Sequence, residues 1–258
     1  MTDVVLHRLG GVGPDVLLIH GFGADRMSWL AVAPQMCETA TVWAAEYAGH
    51  GSAGNDAGDG APQTIAAAIE AEITGRLTHP LIIGHSLGGM LALHLAASAN
   101  LEIAGILLLA PAGLAGDPNG DFLHALPELA DADAALAVLQ RLVVRKTLMT
   151  RRMAEAFVDT LRADGRRRAL RQIAGAFVAS STPPPGPPAM PCAVLWGDAD
   201  DIAPPPDRPL PGLRVIENIG HLPHIEAAST VIEAFRDLQD RAAVRSQGAS
   251  PGVSPGTI

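Results

Sequence analysis

A serine set between glycines is the feature of this sequence best suited to chemistry. Residues 84–88 read Gly-His-Ser-Leu-Gly, with Ser86 at the centre, and Gly89 follows directly. The apolar residues before this segment predict a strand, and those after it predict a helix. In that context G-x-S-x-G predicts a sharp turn that lifts the Ser86 hydroxyl above a sheet, at the amino end of a helix. We expect Gly84 and Gly88 to lie at positions where a Cβ would collide with neighbouring backbone.

Three aspartates that follow a later apolar run could supply the acid that a serine nucleophile needs. The run "CAVLWG" predicts a buried strand, and Asp198, Asp200 and Asp201 come after it. Asp198 could instead bond turn amides, and Asp201 could face solvent or cap the next turn. Local chemistry favours Asp200, which can reach back toward an imidazole, but leaves the choice open.

Two histidines follow the last predicted strand. The run "LRVIENIG" leads to His221, and Gly220 permits a tight bend there. We favour His221 as a base and interpret His224, after Pro223, as a structural hydrogen-bond donor where the next helix begins. The order serine, acid, histidine, each just past a strand end, is typical of a catalytic triad on a parallel sheet.

A glycine-flanked loop could supply an oxyanion hole. The segment "HGFG" follows the second predicted strand, and the glycines beside Phe22 let its amide turn toward the serine. The amide of Leu87 would be the second donor.

The other histidines near these motifs are interpreted as braces for loops. They are His20, His50 and His85. None of the 9 histidines shows a metal-ligand spacing such as H-E-x-x-H, so we predict no metal and no cofactor.

Short apolar runs alternate with helical patterns along most of the chain. The predicted strands are Val4–Leu9, Val16–His20, Thr41–Ala45, Pro80–Ile83, Gly105–Leu109, Cys192–Trp196 and Leu213–Glu217. The predicted helices are Arg26–Gln35, Ile65–Leu77, Leu87–Ala97 and Thr230–Gln239. This alternation predicts an α/β fold with a mostly parallel central sheet flanked by helices.

Residues 116–188 interrupt that rhythm and predict a helical lid inserted before the penultimate strand. Its expected helices are Ala134–Val144, capped by Asp131 or Asp133, Arg151–Leu161, capped by Thr150, and Arg166–Ala179. Residues 1–115 and 189–242 would form the core, and the Ser-, Gly- and Pro-rich residues 243–258 a disordered tail.

We expect apolar residues of the lid and the oxyanion loop to form the wall of a substrate pocket. The candidates are Phe22, Leu87, Phe122, Leu123, Leu126, Met149 and Phe157. The lid arginines 141, 145, 151 and 152 are interpreted as a solvated face rather than an anion site. The pocket is therefore predicted to lack a fixed charge and to prefer short, uncharged acyl groups.

The amino-acid composition argues against some classes of binding partner. With 18 Lys and Arg among 258 residues and a net charge of −9, the chain has no basic stripe for nucleic acid. We expect no membrane span, no signal peptide and a soluble cytoplasmic protein. The 2 cysteines are expected to be buried thiols, and the oligomeric state is left open.

Taken together, five segments resemble the α/β-hydrolase fold family. They are "HGFG", "GHGSAG", "GHSLGG", "LWGDADDIAP" and "GHLPHIEA", and the likeness covers about residues 3–240. In that family the acid is the aspartate three residues after the glycine of the "WG" pair. The resemblance therefore implies Asp200 as the acid and His221 as the base.

The sequence also resembles the hydrolase-like domain of dihydrolipoyl acetyltransferase components of acetoin dehydrogenase. The segments "LIHGFGAD", "GHSLGGMLALHLAA" and the lid stretch from Leu148 to Ala174 carry this likeness. Lys146 is the only lysine and has no D-K-A setting, so we expect no lipoyl-dependent transacylase role. Glu46-Tyr47-Ala48 replaces the usual Asp and Pro of relatives, which we expect to alter a loop rather than the chemistry.

These motifs predict a serine hydrolase of small carboxylic esters or thioesters. A serine nucleophile argues against the dehalogenases and epoxide hydrolases of this fold, which use aspartate. His85, where carbon–carbon bond hydrolases often have Asn, argues against that activity. A slow small-molecule receptor or regulatory protein, or an acyltransferase or perhydrolase, is the alternative.

Overall fold

The computed structural model describes residues 2–114, 119–180 and 183–248 and contains a seven-stranded sheet in the order β1-β3-β2-β4-β5-β6-β7. The strands are β1 (Val4–Gly10), β2 (Asp15–Ile19), β3 (Thr41–Tyr47), β4 (Leu81–His85), β5 (Gly105–Leu109), β6 (Cys192–Gly197) and β7 (Leu213–Ile216). Only β1 runs antiparallel to its neighbour within this sheet. The predicted fold class is confirmed.

Helices cover both faces of the sheet. They are α1 (Ala33–Met36), α2 (Pro62–Ile73), α3 (Leu87–Ala96), α4 (Gly120–Ala125), α5 (Ala132–Gln140), α6 (Arg151–Thr160), α7 (Arg166–Ala179), α8 (Pro223–Glu226) and α9 (Ala228–Gly248), with 3₁₀ turns at Arg26–Trp29, Leu126–Glu128 and Lys146–Leu148. Leu17 and Ile19 of β2 face the core shared with α2 and α3, whereas Val16 and Leu18 face the core shared with α1 and α9. This alternation explains why the central strands are apolar without interruption.

Two predicted elements differ in extent near the ends of the fold. The helix expected at Arg26–Gln35 is a 3₁₀ turn followed by the short α1, because Pro34 lacks an amide hydrogen and its ring would clash with the preceding turn of a continuous helix. Helix α9 continues to Gly248, so the predicted disordered tail is wrong for residues 243–248. An ion pair of 3.1 Å between Arg241 and Asp237, four residues apart, supports the helix just beyond its predicted end at Gln239.

Helices α4 to α7 lie between β5 and β6, where the sequence predicts the lid. The side chain of Asp131, not Asp133, caps α5, which ends at Gln140 rather than at Val144. Thr150 caps α6 as expected. Residues 115–118 and 181–182, which include the first predicted lid residues, lie outside the described residues.

The turn between β4 and α3 holds Ser86 in a conformation that L-residues rarely adopt, with φ 52° and ψ −118°. A Cβ on Gly88 would lie 2.1 Å from the carbonyl oxygen of Ile19, and one on Gly84 would lie 2.3 Å from the carbonyl oxygen of Gly88. Both contacts are with backbone, so neither can be relieved by a rotamer change. The predicted need for glycine at both positions is confirmed.

Two further sequence expectations concern the cysteines and the membrane. Cys37 and Cys192 are unpaired and only half-buried, and burial raises the pKa of Cys192 to about 11. Within the described parts of the chain, no helix combines the length and apolarity needed to span a bilayer.

Gly88→Ala is expected to destabilise the protein by about 1–3 kcal/mol or more, because α3 must move away from β2. Urea unfolding measures this change in free energy. The matched control is Gly175→Ala in α7, where the added Cβ would meet nothing within 4 Å. That substitution should stabilise the protein by about 0.5–1 kcal/mol, since it removes backbone freedom from the unfolded chain. Equal effects at the two sites would contradict the close-contact argument.

Candidate active site

Three side chains from separate loops meet in a line of hydrogen bonds at the carboxyl edge of the sheet. Nε2 of His221 lies 3.0 Å from Oγ of Ser86, and its Nδ1 lies 2.7 Å from Oδ2 of Asp200. Ser86 begins the turn after β4, Asp200 follows β6, and His221 follows β7. Parallel strands end at the same edge, which explains why residues more than a hundred positions apart come together.

The three competing aspartates have distinct environments. Oδ1 of Asp200 accepts hydrogen bonds from the amides of Ile202 and Ala203, which leaves Oδ2 directed at the imidazole. Asp198 accepts the amide of Asn218, in agreement with the turn role considered for it. Asp201 is exposed and pairs with Arg141 at 3.2 Å. Only Asp200 of the three contacts a histidine.

His224 does not play the role that its position predicts. Its ring is fully buried, and neither ring nitrogen has a hydrogen-bond partner among the described residues. The ring packs instead against Trp29 and His85, with centroid separations of 4.8 and 4.7 Å. Burial lowers the pKa of His224 to about 3. The ring is therefore a neutral packing element rather than a donor.

His85 also lies beside the imidazole of His221, with ring centroids 4.9 Å apart. Its Nε2 lies 2.8 Å from the carbonyl oxygen of His221 and donates to it when that nitrogen carries the proton. Burial, together with nearby histidines, lowers the pKa of His85 well below its usual value. His85 therefore adds a bond to the loop without adding positive charge, as its interpretation as a brace predicts.

The loop that carries Phe22 is held by a second histidine. The amide of Gly23 donates to Nε2 of His50 at 2.9 Å, and Nδ1 of His50 donates to the carbonyl of Ala48 at 2.9 Å. This pattern requires the neutral ring, and burial lowers the pKa of His50 well below its usual value. Among the described residues, no acceptor is paired with the amide of Phe22 or of Leu87. Both amides thus remain available to a ligand.

A buried glutamate, which the sequence did not single out, fixes the loop of His221. Glu226 accepts the amides of Gly220, Val144 and Arg145, and the amide of His221 donates to the carbonyl of Leu142 at 2.8 Å. Its carboxylate therefore joins the loop after β7 to the segment after α5. A glutamate at the end of a short helix gave no sequence signal for this role.

A cavity of about 610 Å³ opens beside Ser86 and His221. Six of the predicted wall residues line it: Phe22, Phe122, Leu123, Leu126, Met149 and Phe157. The side chain of Leu87 does not, because it is buried in the core between α3 and the sheet. Helices α4 to α6 thus contribute much of the apolar wall.

Other wall residues were missed by the sequence reasoning. They include Met27, Leu30, Leu139, Leu142, Ile202, Ile225 and Arg166. An amphipathic pattern in α5 points to Leu139 only once the position of that helix is known. Arginines 141, 145, 151 and 152, which the sequence places in a predicted lid, do not line this cavity, and Arg141 and Arg151 pair with surface aspartates. The expectation of a wall without charge is wrong, because Arg166 lies in it.

Comparison with known proteins identifies the group to which this arrangement belongs. The model of the alpha/beta hydrolase family matches residues 16–234, which is most of the chain. The chain belongs to the alpha/beta hydrolase family.

Relatives of this alpha/beta hydrolase have several recorded roles. It is 29% identical over 233 residues to the dihydrolipoyllysine-residue acetyltransferase component of the acetoin cleaving system of Pseudomonas putida, covering 87% of this chain but only 63% of that one. It is 31% identical over 243 residues to the pimeloyl-[acyl-carrier protein] methyl ester esterase of Neisseria meningitidis, covering 86% of this chain and 92% of the relative. A putative lipase from Acinetobacter baumannii has a similar structure, with a TM-score of 0.80 at 20% identity over 94% of this chain and 89% of that one.

Glu46, where this alpha/beta hydrolase departs from the expected Asp, supports the loops beneath the site. Its buried carboxylate pairs with Arg26 at 2.8 Å and accepts both the amide and the hydroxyl of Ser52 at 2.7 Å. Burial would raise the pKa of Glu46, but the hydrogen bonds from Ser52 and Arg26 outweigh it and lower the pKa to about 2. The longer side chain therefore keeps a tightly bound anion in the loop region.

Glu46→Gln is expected to lower the free energy of unfolding at pH 7 and to lower it less at pH 3. Since the folded pKa of about 2 lies below the ordinary 4.5, the contribution of the carboxylate is complete above pH 4.5 and is lost as the pH falls toward 2. Urea unfolding of wild type and variant at pH 7 and pH 3 measures the difference. The exposed Glu102→Gln should change stability little at either pH. If the loss of unfolding free energy caused by Glu46→Gln were as large at pH 3 as at pH 7, the lowered pKa of Glu46 would be refuted.

Proposed function

We propose that the chain is a serine hydrolase of small carboxylic esters or thioesters that works through an acyl-enzyme. The observation that carries the proposal is the hydrogen-bonded line from Asp200 through His221 to Ser86, which ends at the apolar cavity. A relative that is a methyl ester esterase supports the ester specificity.

In the proposed mechanism, Oγ of Ser86 attacks the acyl carbon while Nε2 of His221 takes its proton. The same nitrogen then returns the proton to the leaving group, and a water molecule activated by His221 cleaves the acyl-enzyme. The carboxylate of Asp200 keeps the proton on Nδ1 and stabilises the imidazolium. No cofactor takes part.

The amides of Phe22 and Leu87 are proposed to hold the oxyanion. Support comes from their lack of acceptors among the described residues and from the bond between Gly23 and His50, which fixes the loop. Preorganised donors of this kind typically contribute about 10²–10³ to the rate. The buried, neutral His85 and His224 add no positive charge that would oppose protonation of His221.

Residues 116–188 are proposed to act as the lid of the site, over a core formed by residues 1–115 and 189–242. Phe122, Met149 and Phe157 support this division, because these helices close the cavity above Ser86. The lid would exclude water and select the acyl group by shape.

Ser86→Ala is expected to abolish ester hydrolysis and labelling by a fluorophosphonate, and to leave thermal unfolding nearly unchanged. Hydrolysis of p-nitrophenyl acetate and label incorporation are the two measurements. Turnover close to that of wild type would refute the nucleophile. Wild-type labelling without turnover would instead favour the receptor alternative.

Asp200→Asn is expected to lower kcat by about 10⁴, because the imidazole loses the charge that orients it. Asp198→Asn is the matched control from the same loop, and it should cost far less since Asp198 bonds only a turn amide. Steady-state kinetics on one ester compares the two variants. The reverse ranking would show that the acid has been assigned to the wrong residue.

A further inference from the structure

Among the described residues, Arg166 supplies the single guanidinium in the wall of the cavity. Most of that wall is apolar, and Asp25 is the carboxylate that also lines it. Arg166, the first residue of α7, is only 8% exposed and lines the cavity near Gly49 and Gly51. Its Nη2 donates to the carbonyl of Gly51 at 2.8 Å. Its Nε is buried and has no hydrogen-bond partner among the described residues. The protein therefore satisfies only part of a group with five donors.

No carboxylate oxygen of the described residues lies within 4.0 Å of a nitrogen of Arg166. Glu46 and Asp25 attract it only from farther away. The carboxylate of Glu46 is occupied by Arg26 and Ser52, and that of Asp25 accepts the amide of Met27 at 2.7 Å. The positive charge is thus buried without a partner of its own, which is costly in a folded protein.

Neighbouring arginines between β5 and β6 are exposed and paired with a carboxylate, or lie outside the cavity wall. Arg141, Arg151 and Arg171 lie on the surface and pair with Asp201, Asp133 and Glu128. Arg167, next to Arg166 in α7, donates to the carbonyls of Pro127 and Leu129 and does not line the cavity.

We propose that Arg166 binds a free carboxylate carried by the substrate, so that the enzyme prefers esters with a carboxylate in addition to the ester group. This inference rests on the proposed hydrolase function. A carboxylate can accept the parallel donors of a guanidinium and neutralise its charge. The apolar wall formed by Phe122, Leu126 and Phe157 then suits the carbon chain of the same molecule.

Two pairs of substrates test the proposal, each with a carboxylate and a carboxamide of the same shape. The first pair is the mono-p-nitrophenyl ester of adipic acid and that of adipamic acid, which carry the test group on the acyl side. The second pair is 4-acetoxybenzoate and 4-acetoxybenzamide, which carry it on the leaving group. The readout is the ratio of kcat/KM for carboxylate over carboxamide.

Wild type should favour the carboxylate in at least one pair, and Arg166→Gln should lower that ratio by roughly 10- to 100-fold. Arg166→Lys should restore part of it, and the control Arg167→Gln should leave it unchanged. Thermal unfolding of each variant reports on folding. A wild type without preference in either pair, or a ratio unchanged in a folded Arg166→Gln, would overturn the proposal while leaving the hydrolase function intact.

A binding experiment tests the carboxylate site even if the protein cleaves none of these esters. The absence of any cleavage would count against the proposed hydrolase function. Adipate is titrated calorimetrically into Ser86→Ala and into the Ser86→Ala, Arg166→Gln double variant. Binding weakened about 10-fold or more by the loss of Arg166 supports the carboxylate site without any turnover. Equal binding by the two proteins overturns it.

Discussion

The close approach of two backbones, at the contact between Gly88 and the end of β2, sets the position of Ser86 relative to the loop that carries Phe22. The Cα of Gly88 packs so closely on the carbonyls of Ile19 and His20 that no side chain fits between them. This contact brings the start of α3 against the loop that carries Phe22. As a result, the strained Ser86 and the amides of Phe22 and Leu87, which have no acceptor among the described residues, occupy the same small region of the sheet edge. A larger separation of α3 and β2 would move the serine away from both the loop and His221.

Buried polar groups around the site follow a consistent pattern. His50 and His85 are neutral and bond to backbone, whereas the carboxylates of Glu46 and Glu226 accept several amides each. Such groups are inexpensive to bury because their hydrogen-bonding capacity is largely used. Nε of Arg166, both ring nitrogens of His224 and Nε2 of His20 depart from the pattern, since each lacks a hydrogen-bond partner among the described residues. His224 avoids the cost of charge because burial lowers its pKa, but an arginine cannot lose its proton in this way.

The sequence predicted the features that depend on local chemistry or on strand order. Glycines at positions 84 and 88, apolar strands and the order of Ser86, the aspartates and His221 after strand ends predicted where these side chains would meet. The choice of Asp200 over its neighbours also needed the family resemblance. Features set by packing between distant segments were not predicted. Nothing near Arg166 in sequence indicates that α7 directs it into the cavity, and nothing near Glu226 indicates that it accepts amides from a segment about eighty residues earlier. The side chain of Leu87 turned into the core for the same reason, since the local sequence does not show which face of α3 meets the sheet.

The amides that Glu226 accepts divide the inserted helices into parts with different freedom to change during evolution. The backbone of residues 142–145 is tied to the loop of His221, so insertions, deletions or proline substitutions that move this backbone would disturb the position of the ring. The cavity-facing positions of α4 and α6 have no such tie among the described contacts. Selection can therefore alter the shape and polarity of the cavity through those helices while the geometry at the sheet edge is preserved. A family that retains one arrangement of loops can in this way acquire many substrates by divergence of a single insertion.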